Sequence, residues 1–182
     1  MCTGRTRLQP RSPRFDHDRI MASIPATIRS MGGIAARREL IRKGHRPDWI
    51  EIFWRGGQIE RVRQGWYTIP ETNPDVKRAW RVGGRLGCAS ALYFHGARAD
   101  QPAHLHVNVV RRSARLRWPD DRRVRMADRP VEGVVVHWID GQSMEETPYS
   151  DREAVSPIEA LAQTARCPWA ASVPRAGATD NL

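Results

Sequence analysis

GGIAARRELIRKG (32–44), PDWIEIFWR (47–55) and IERVRQGWYTIP (59–70) form the stretch whose reading decides the fold. The spacing predicts a helix from about Ala35 to Lys43, with Leu40 and Ile41 inward, Arg37, Arg38 and Arg42 outward, and Gly44 closing it. Pro47 suits a helical first turn, and the helix it opens runs to Arg55, where Gly56-Gly57 stops it. Trp49, Ile50, Phe53 and Trp54 fall on one apolar face of that helix, opposite Asp48, Glu51, Ile52 and Arg55. Two strand-like runs follow, Gln58–Arg63 and Trp66–Ile69, joined at the turn signal Gln64-Gly65. Hairpin aromatics beside an apolar helix face are core residues, so Trp66 and Tyr67 are expected inside. Upstream, Ile24, Ile28 and Met31 stand at helical spacing, with Pro25 in the first turn and Gly32-Gly33 as the stop. Three short helices followed by a basic hairpin is the order of a winged helix-turn-helix, placed here at residues 21–70.

Residues 74–166 read as a small mixed α/β unit, making the chain α+β. Helical pattern covers 75–96 in two pieces broken at Gly83-Gly84, with Cys88, Ala91, Leu92 and His95 on one face of the second. HLHVNVV (104–110) alternates as a strand with Leu105, Val107 and Val109 on one side, and GVVVHWI (133–139) is the best strand in the chain. Ser156-Pro157 starts a helix to about Arg166. This unit has few strands for an independent core and is expected to need a partner or a further segment. Residues 1–20 read as a disordered basic tail, with Met21 a plausible natural start, and 167–182 as a disordered end.

Charge is the strongest compositional fact. Residues 1–129 hold 27 Lys+Arg against 12 Asp+Glu, a net of +15, whereas 130–182 hold 3 against 8, a net of −5. Part of this reflects arginine-rich coding, since Lys43 and Lys77 are the only lysines. A basic domain of this kind points to nucleic acid, with an anionic membrane surface as the rival. In a winged helix the third helix enters the major groove, so Arg46 and Arg55 at its ends are the candidate base readers. Arg61 and Arg63 on the hairpin are suited to phosphate or a narrow minor groove, and Arg37 and Arg38 complete the candidate DNA-binding set. A further basic stretch, 111–129, carries 8 Arg against 3 Asp around Trp118-Pro119.

No secretory signal is legible, and no run approaches the ~18 apolar residues of a membrane span. Cys2, Cys88 and Cys167 lie far apart without a C-x-x-C pair, which argues against a disulfide framework. The chain is expected in the cytoplasm. His104 and His106 share a strand face, and His95, His137 or Cys88 could join them around a metal. The plainer expectation is two histidines on a half-exposed strand, with no metal and no cofactor. Pro47-Asp48 with Asp75-Val76-Lys77 spells a nuclease pattern, but its acids stand at helix starts rather than on adjacent strands, so no catalytic residue is expected.

GGIAARRELIRKG, the short helix after it and IERVRQGWYTIP resemble the N-terminal domain of AbiEi-type antitoxin-like proteins. GGRLGCASALYFHG, HLHVNVV and VVVHW resemble the segment that follows it there, so the resemblance spans about Ile24 to Arg166. It implies a winged-helix DNA-binding protein, commonly the transcriptional autorepressor and antitoxin of a type IV toxin–antitoxin operon, with duplex DNA and a cognate toxin as partners. Many relatives continue into a nuclease-like domain of the very-short-patch-repair type, before which this chain ends. Two other readings stay open: the remnant of a DNA nuclease, and a toxin-neutralising module that does not touch DNA.

Overall fold

The computed structural model describes residues 24–111, 113, 115–128, 132–140 and 146–171. The expected tails at 1–20 and 172–182, and Met21, lie outside the described residues. The chain is α+β, with two three-stranded sheets among the described residues.

The first half runs α1 (24–30), β1 (Ile34–Ala36), α2 (Arg37–Arg42), α3 (Pro47–Arg55), β2 (Glu60–Arg63) and β3 (Trp66–Thr68). β3 is central, pairing antiparallel with β1 on one side and β2 on the other. Ile24, Ile28 and Met31 of the first helix are buried as their spacing requires, and so are Ile50 and Phe53 of α3. β2 carries a bulge at Val62, where Arg61 opposes Tyr67 while Arg63 opposes Trp66.

Two expectations are corrected here. Ala35 is not helical: Ile34–Ala36 is a strand in register with Thr68, Tyr67 and Trp66. Backbone pairing with β3 outweighs the helical preference of alanine, a weak local term that tertiary contacts override. Ile41 is 39% exposed rather than inward, and α2 is anchored by Leu40 and the buried Glu39 instead.

The second half runs α4 (Pro74–Val82), β4 (Arg85–Leu86), α5 (Cys88–Phe94), β5 (Leu105–Val110), β6 (Val134–Ile139) and α6 (Pro157–Thr164). β5 is central, antiparallel to β4 and parallel to β6. The strand β4 had no periodicity to announce it. It pairs with β5 because Gly83 turns the chain at φ +134° and Gly84 lies against the Asn108 carbonyl, where any Cβ would collide. Both faces of β5 are buried, one on α4 and the other under α5 and α6. Residues 167–171 form a turn with Ala170 buried, which corrects the expectation of disorder for these five residues.

The two halves share a core. Alternation divides the first sheet: Ala35 and Tyr67 face α1–α3, while Ile34, Ala36, Val62 and Trp66 pack with Val76, Ala79 and Trp80 of α4. Among the described residues no helix is long and apolar enough to cross a membrane.

Candidate nucleic-acid interface

Helix α3 presents Asp48, Ile52 and Arg55 to solvent and buries the opposite side. Arg46 caps its start and Arg55 closes its last turn, both exposed. Each holds a local acid: Arg46 Nη2 lies 2.6 Å from Asp48 Oδ2, and Arg55 Nε lies 3.0 Å from Glu51 Oε1. The Arg46 hydrogen bond holds the Asp48 carboxyl below the usual carboxylate range. Such exposed pairs are weak and exchange readily for a phosphate. Arg37 and Arg38 project into solvent from the start of α2.

The hairpin arginines behave differently from each other. Arg61 lays its guanidinium over the Trp54 ring, 5.1 Å from the centroid, and is half-buried. Arg63 turns inward: its Nη1 donates toward the Val82 carbonyl at 3.5 Å. Burial, with the charge of Arg117 behind it, makes the Arg63 guanidinium less basic than usual. The expectation that both stand on an outer wing surface is therefore corrected for Arg63, which the β2 bulge and the packing of α4 draw into a cleft.

That cleft has a volume of about 350 Å³ and is lined by Arg61, Arg63, Gln64, Arg115, Arg117 and Arg122. Its far wall is built by residues 115–126, which fold back on themselves: Trp118 N–H donates to Val124 O at 2.9 Å and Met126 N–H to Leu116 O at 3.0 Å. Leu116 and Met126 pack on the core, and Arg78 of α4 reaches Asp120 at 2.9 Å, so the loop is held in place. Arg122 approaches the same Trp54 ring from this side, at 5.9 Å. Burial lowers the Arg122 guanidinium, and the charges of Arg61, Arg123 and Arg81 lower it further. Five guanidinium groups thus share one cleft with no carboxylate among its described lining residues. Their mutual repulsion is relieved by an anion, and planar forked donors suit phosphate oxygens.

Sequence reasoning placed Arg46, Arg55, Arg61 and Arg63 around one region and missed Arg115, Arg117 and Arg122. Their signal was the basic stretch 111–129, legible as composition but not as a position. The other candidates disperse. Asp48 is engaged by Arg46, Asp75 by Arg78 at 3.1 Å, and Lys77 by Glu60 at 2.9 Å, so the three residues of the nuclease-like pattern have separate partners. His95 bonds the Val155 carbonyl at 2.8 Å, and His104 meets the Trp169 ring edge-on at 5.2 Å.

Comparison with known proteins finds no matching family model and no curated relative.

Proposed function

We propose that this protein binds duplex DNA without catalysing a reaction, through a winged helix-turn-helix made of residues 24–69. In this reading α3 lies in the major groove, with Arg46 and Arg55 released from their acidic neighbours to reach base edges, and Ile52 available to a thymine methyl group. The hairpin β2–β3 is the wing. The observation that carries the reading is the arginine cleft between that hairpin and residues 115–126, two of whose arginines, Arg61 and Arg122, lie over the Trp54 ring of α3. A DNA backbone supplies phosphates for such a cleft, and backbone contacts set the register from which a helix reads bases. The sheet order β1-β3-β2, with the hairpin following α3, supports the assignment.

The biological role is that of a transcriptional regulator of its own operon, with antitoxin activity toward a cognate toxin. This part rests on the residues quoted in the sequence analysis for the resemblance to AbiEi-type proteins. It is separable from DNA binding by footprinting the upstream region of the gene: protection no stronger than on scrambled DNA would remove the regulator and leave the binder.

The direct test is fluorescence anisotropy of the full-length protein with labelled duplexes over a salt series. With about four phosphates neutralised, log K falls against log[salt] with a slope of about −3.5 to −4. A flat response would sink the reading.

A further inference from the structure

A second constellation stands apart from the arginine cleft, where four ligand-type side chains from four elements meet over the second sheet. Cys88 opens α5, His106 lies on β5, His137 on β6, and Cys167 in the turn after α6. The strand register explains the histidines: His137 pairs with Asn108, and His106 lies two residues before Asn108, on the same face. Helices α5 and α6 close over that face. Gln163 of α6 accepts from the Cys88 N–H at 2.7 Å and donates to Asn108 Oδ1 at 3.1 Å. Cys88 itself has φ +48°, a conformation L residues rarely hold, and Gln163 pins it there.

One ligand atom from each of the four lies within 4.8 Å of all the others. His106 Nδ1 is 3.2 Å from His137 Nε2 and 3.8 Å from Cys167 Sγ. A tetrahedral zinc with Zn–N of about 2.0–2.1 Å and Zn–S of about 2.3 Å sets N···N near ~3.3 Å and N···S near ~3.6 Å. Both measured edges agree within a few tenths of an ångström.

We propose that Cys88, His106, His137 and Cys167 form a closed structural zinc site. Two sulfurs and two imidazoles in this arrangement are the donor set zinc prefers. Binding releases the two thiol protons to solvent, and two thiolates with one Zn²⁺ make a neutral centre, which a buried position tolerates. The His106 ring is fully buried, stacked on His137 at 5.5 Å, and its Nε2 has no partner among the described residues. Its Nδ1 faces His137 Nε2 and Cys167 Sγ. All four positions are taken by protein, so the site leaves no place for substrate and acts as a clasp. It fastens the turn at 167–170, where Ala170 packs on Cys88 and Ala89, across the second sheet.

The test uses the full-length protein, purified under reducing conditions and supplied with zinc, then assayed for bound metal by mass spectrometry. The expected result is one zinc per chain, and on cobalt exchange the visible bands of a tetrahedral ion with a thiolate-to-metal transition. Cys167→Ser and His137→Gln should each weaken zinc by at least about 100-fold in chelator competition, since losing even an outer partner costs 10–100-fold. His104→Gln, just before β5 and outside the tetrad, should bind as the parent does. The cobalt spectrum of the unaltered protein decides the matter even if a cysteine variant fails to fold. Substoichiometric zinc, an octahedral cobalt spectrum, or a Cys88–Cys167 disulfide that forms in place of metal binding would overturn the proposal. None of these outcomes depends on whether the protein binds DNA.

Discussion

Arg152 is completely buried, and its guanidinium spans 113 positions to Glu39. Nη1 donates to Glu39 Oε2 at 2.8 Å and to the Ile34 carbonyl at 3.0 Å, and Nη2 donates to Glu39 Oε1 at 2.6 Å. Tyr149 and Trp66 flank the group at 4.4 and 5.3 Å. Glu39 also accepts from the Ala36 N–H at 2.8 Å, so one carboxylate ties the start of α2 to β1 and to the far end of the chain. Removing one partner of a buried pair strands the other charge, and Arg152→Ala should cost about 3–5 kcal/mol in denaturant unfolding. Adding Glu39→Leu should restore part of that; an undiminished loss would assign the effect to packing alone. The pH dependence follows from the same pair. Burial alone would raise the Glu39 carboxyl, but the hydrogen bonds from Arg152 and Ala36 and the charges of Arg152 and Arg42 outweigh it and hold it below 4.5. A depressed carboxylate contributes stability that is complete above its ordinary value and is lost as pH falls through the lower folded value. In Arg152→Ala the Arg152 hydrogen bonds and charge are lost, leaving only the Ala36 hydrogen bond and the Arg42 charge against burial, so the depression of the carboxyl is reduced. The stability difference between parent and variant should therefore shrink as pH falls below about 4.5, and a constant difference would contradict the assignment.

At the scale of elements, the proposed DNA binding assigns separate tasks to α3 and the cleft. Arg46 and Arg55 bracket the exposed face of α3, whereas Arg61, Arg117 and Arg122 meet around Trp54 and the cleft. Arg122→Ala should weaken all duplexes about equally and reduce the salt slope by about one. Arg55→Ala or Arg46→Ala, whichever residue reads a base, should cost about 1–3 kcal/mol on the preferred site and relax selection at one position. Paired titrations on preferred and scrambled duplexes at two salt concentrations separate the two patterns. If Arg122→Ala lost only specific binding while both α3 variants lost affinity uniformly, the roles would be exchanged.

At the scale of the molecule, the first sheet is covered on both sides, so the first half is not closed by its own residues. Ile34, Ala36, Val62 and Trp66 are covered by α4, with Ala154 and Val155 in the same core. Trp80 Nε1 donates to the Arg152 carbonyl at 2.8 Å, drawing the chain's later part onto that core. A fragment ending at residue 73 would expose this apolar face and leave Glu39 buried without its arginine. It should show no cooperative thermal transition where the full chain does, by circular dichroism. A fragment that melts cooperatively near the full-length temperature would mean that the shared core is dispensable.

The sequence by itself determined the helices and strands whose periodicity is strong. Ile24, Ile28 and Met31, the face of α3, the hairpin turn at Gln64-Gly65 and strands β5 and β6 could all be read from spacing and turn chemistry. It also located the excess of positive charge. Only tertiary structure decided the rest, because each remaining feature depends on a distant partner. Ile34–Ala36 becomes a strand through β3, and Arg63 turns inward through Val82. Arg115, Arg117 and Arg122 join the hairpin because Leu116 and Met126 find the core. Arg152 meets Glu39, and Cys167 meets Cys88, His106 and His137, across separations no local pattern records. Periodicity reports which side of an element is apolar; charge pairing and ligand convergence depend on where whole elements are packed.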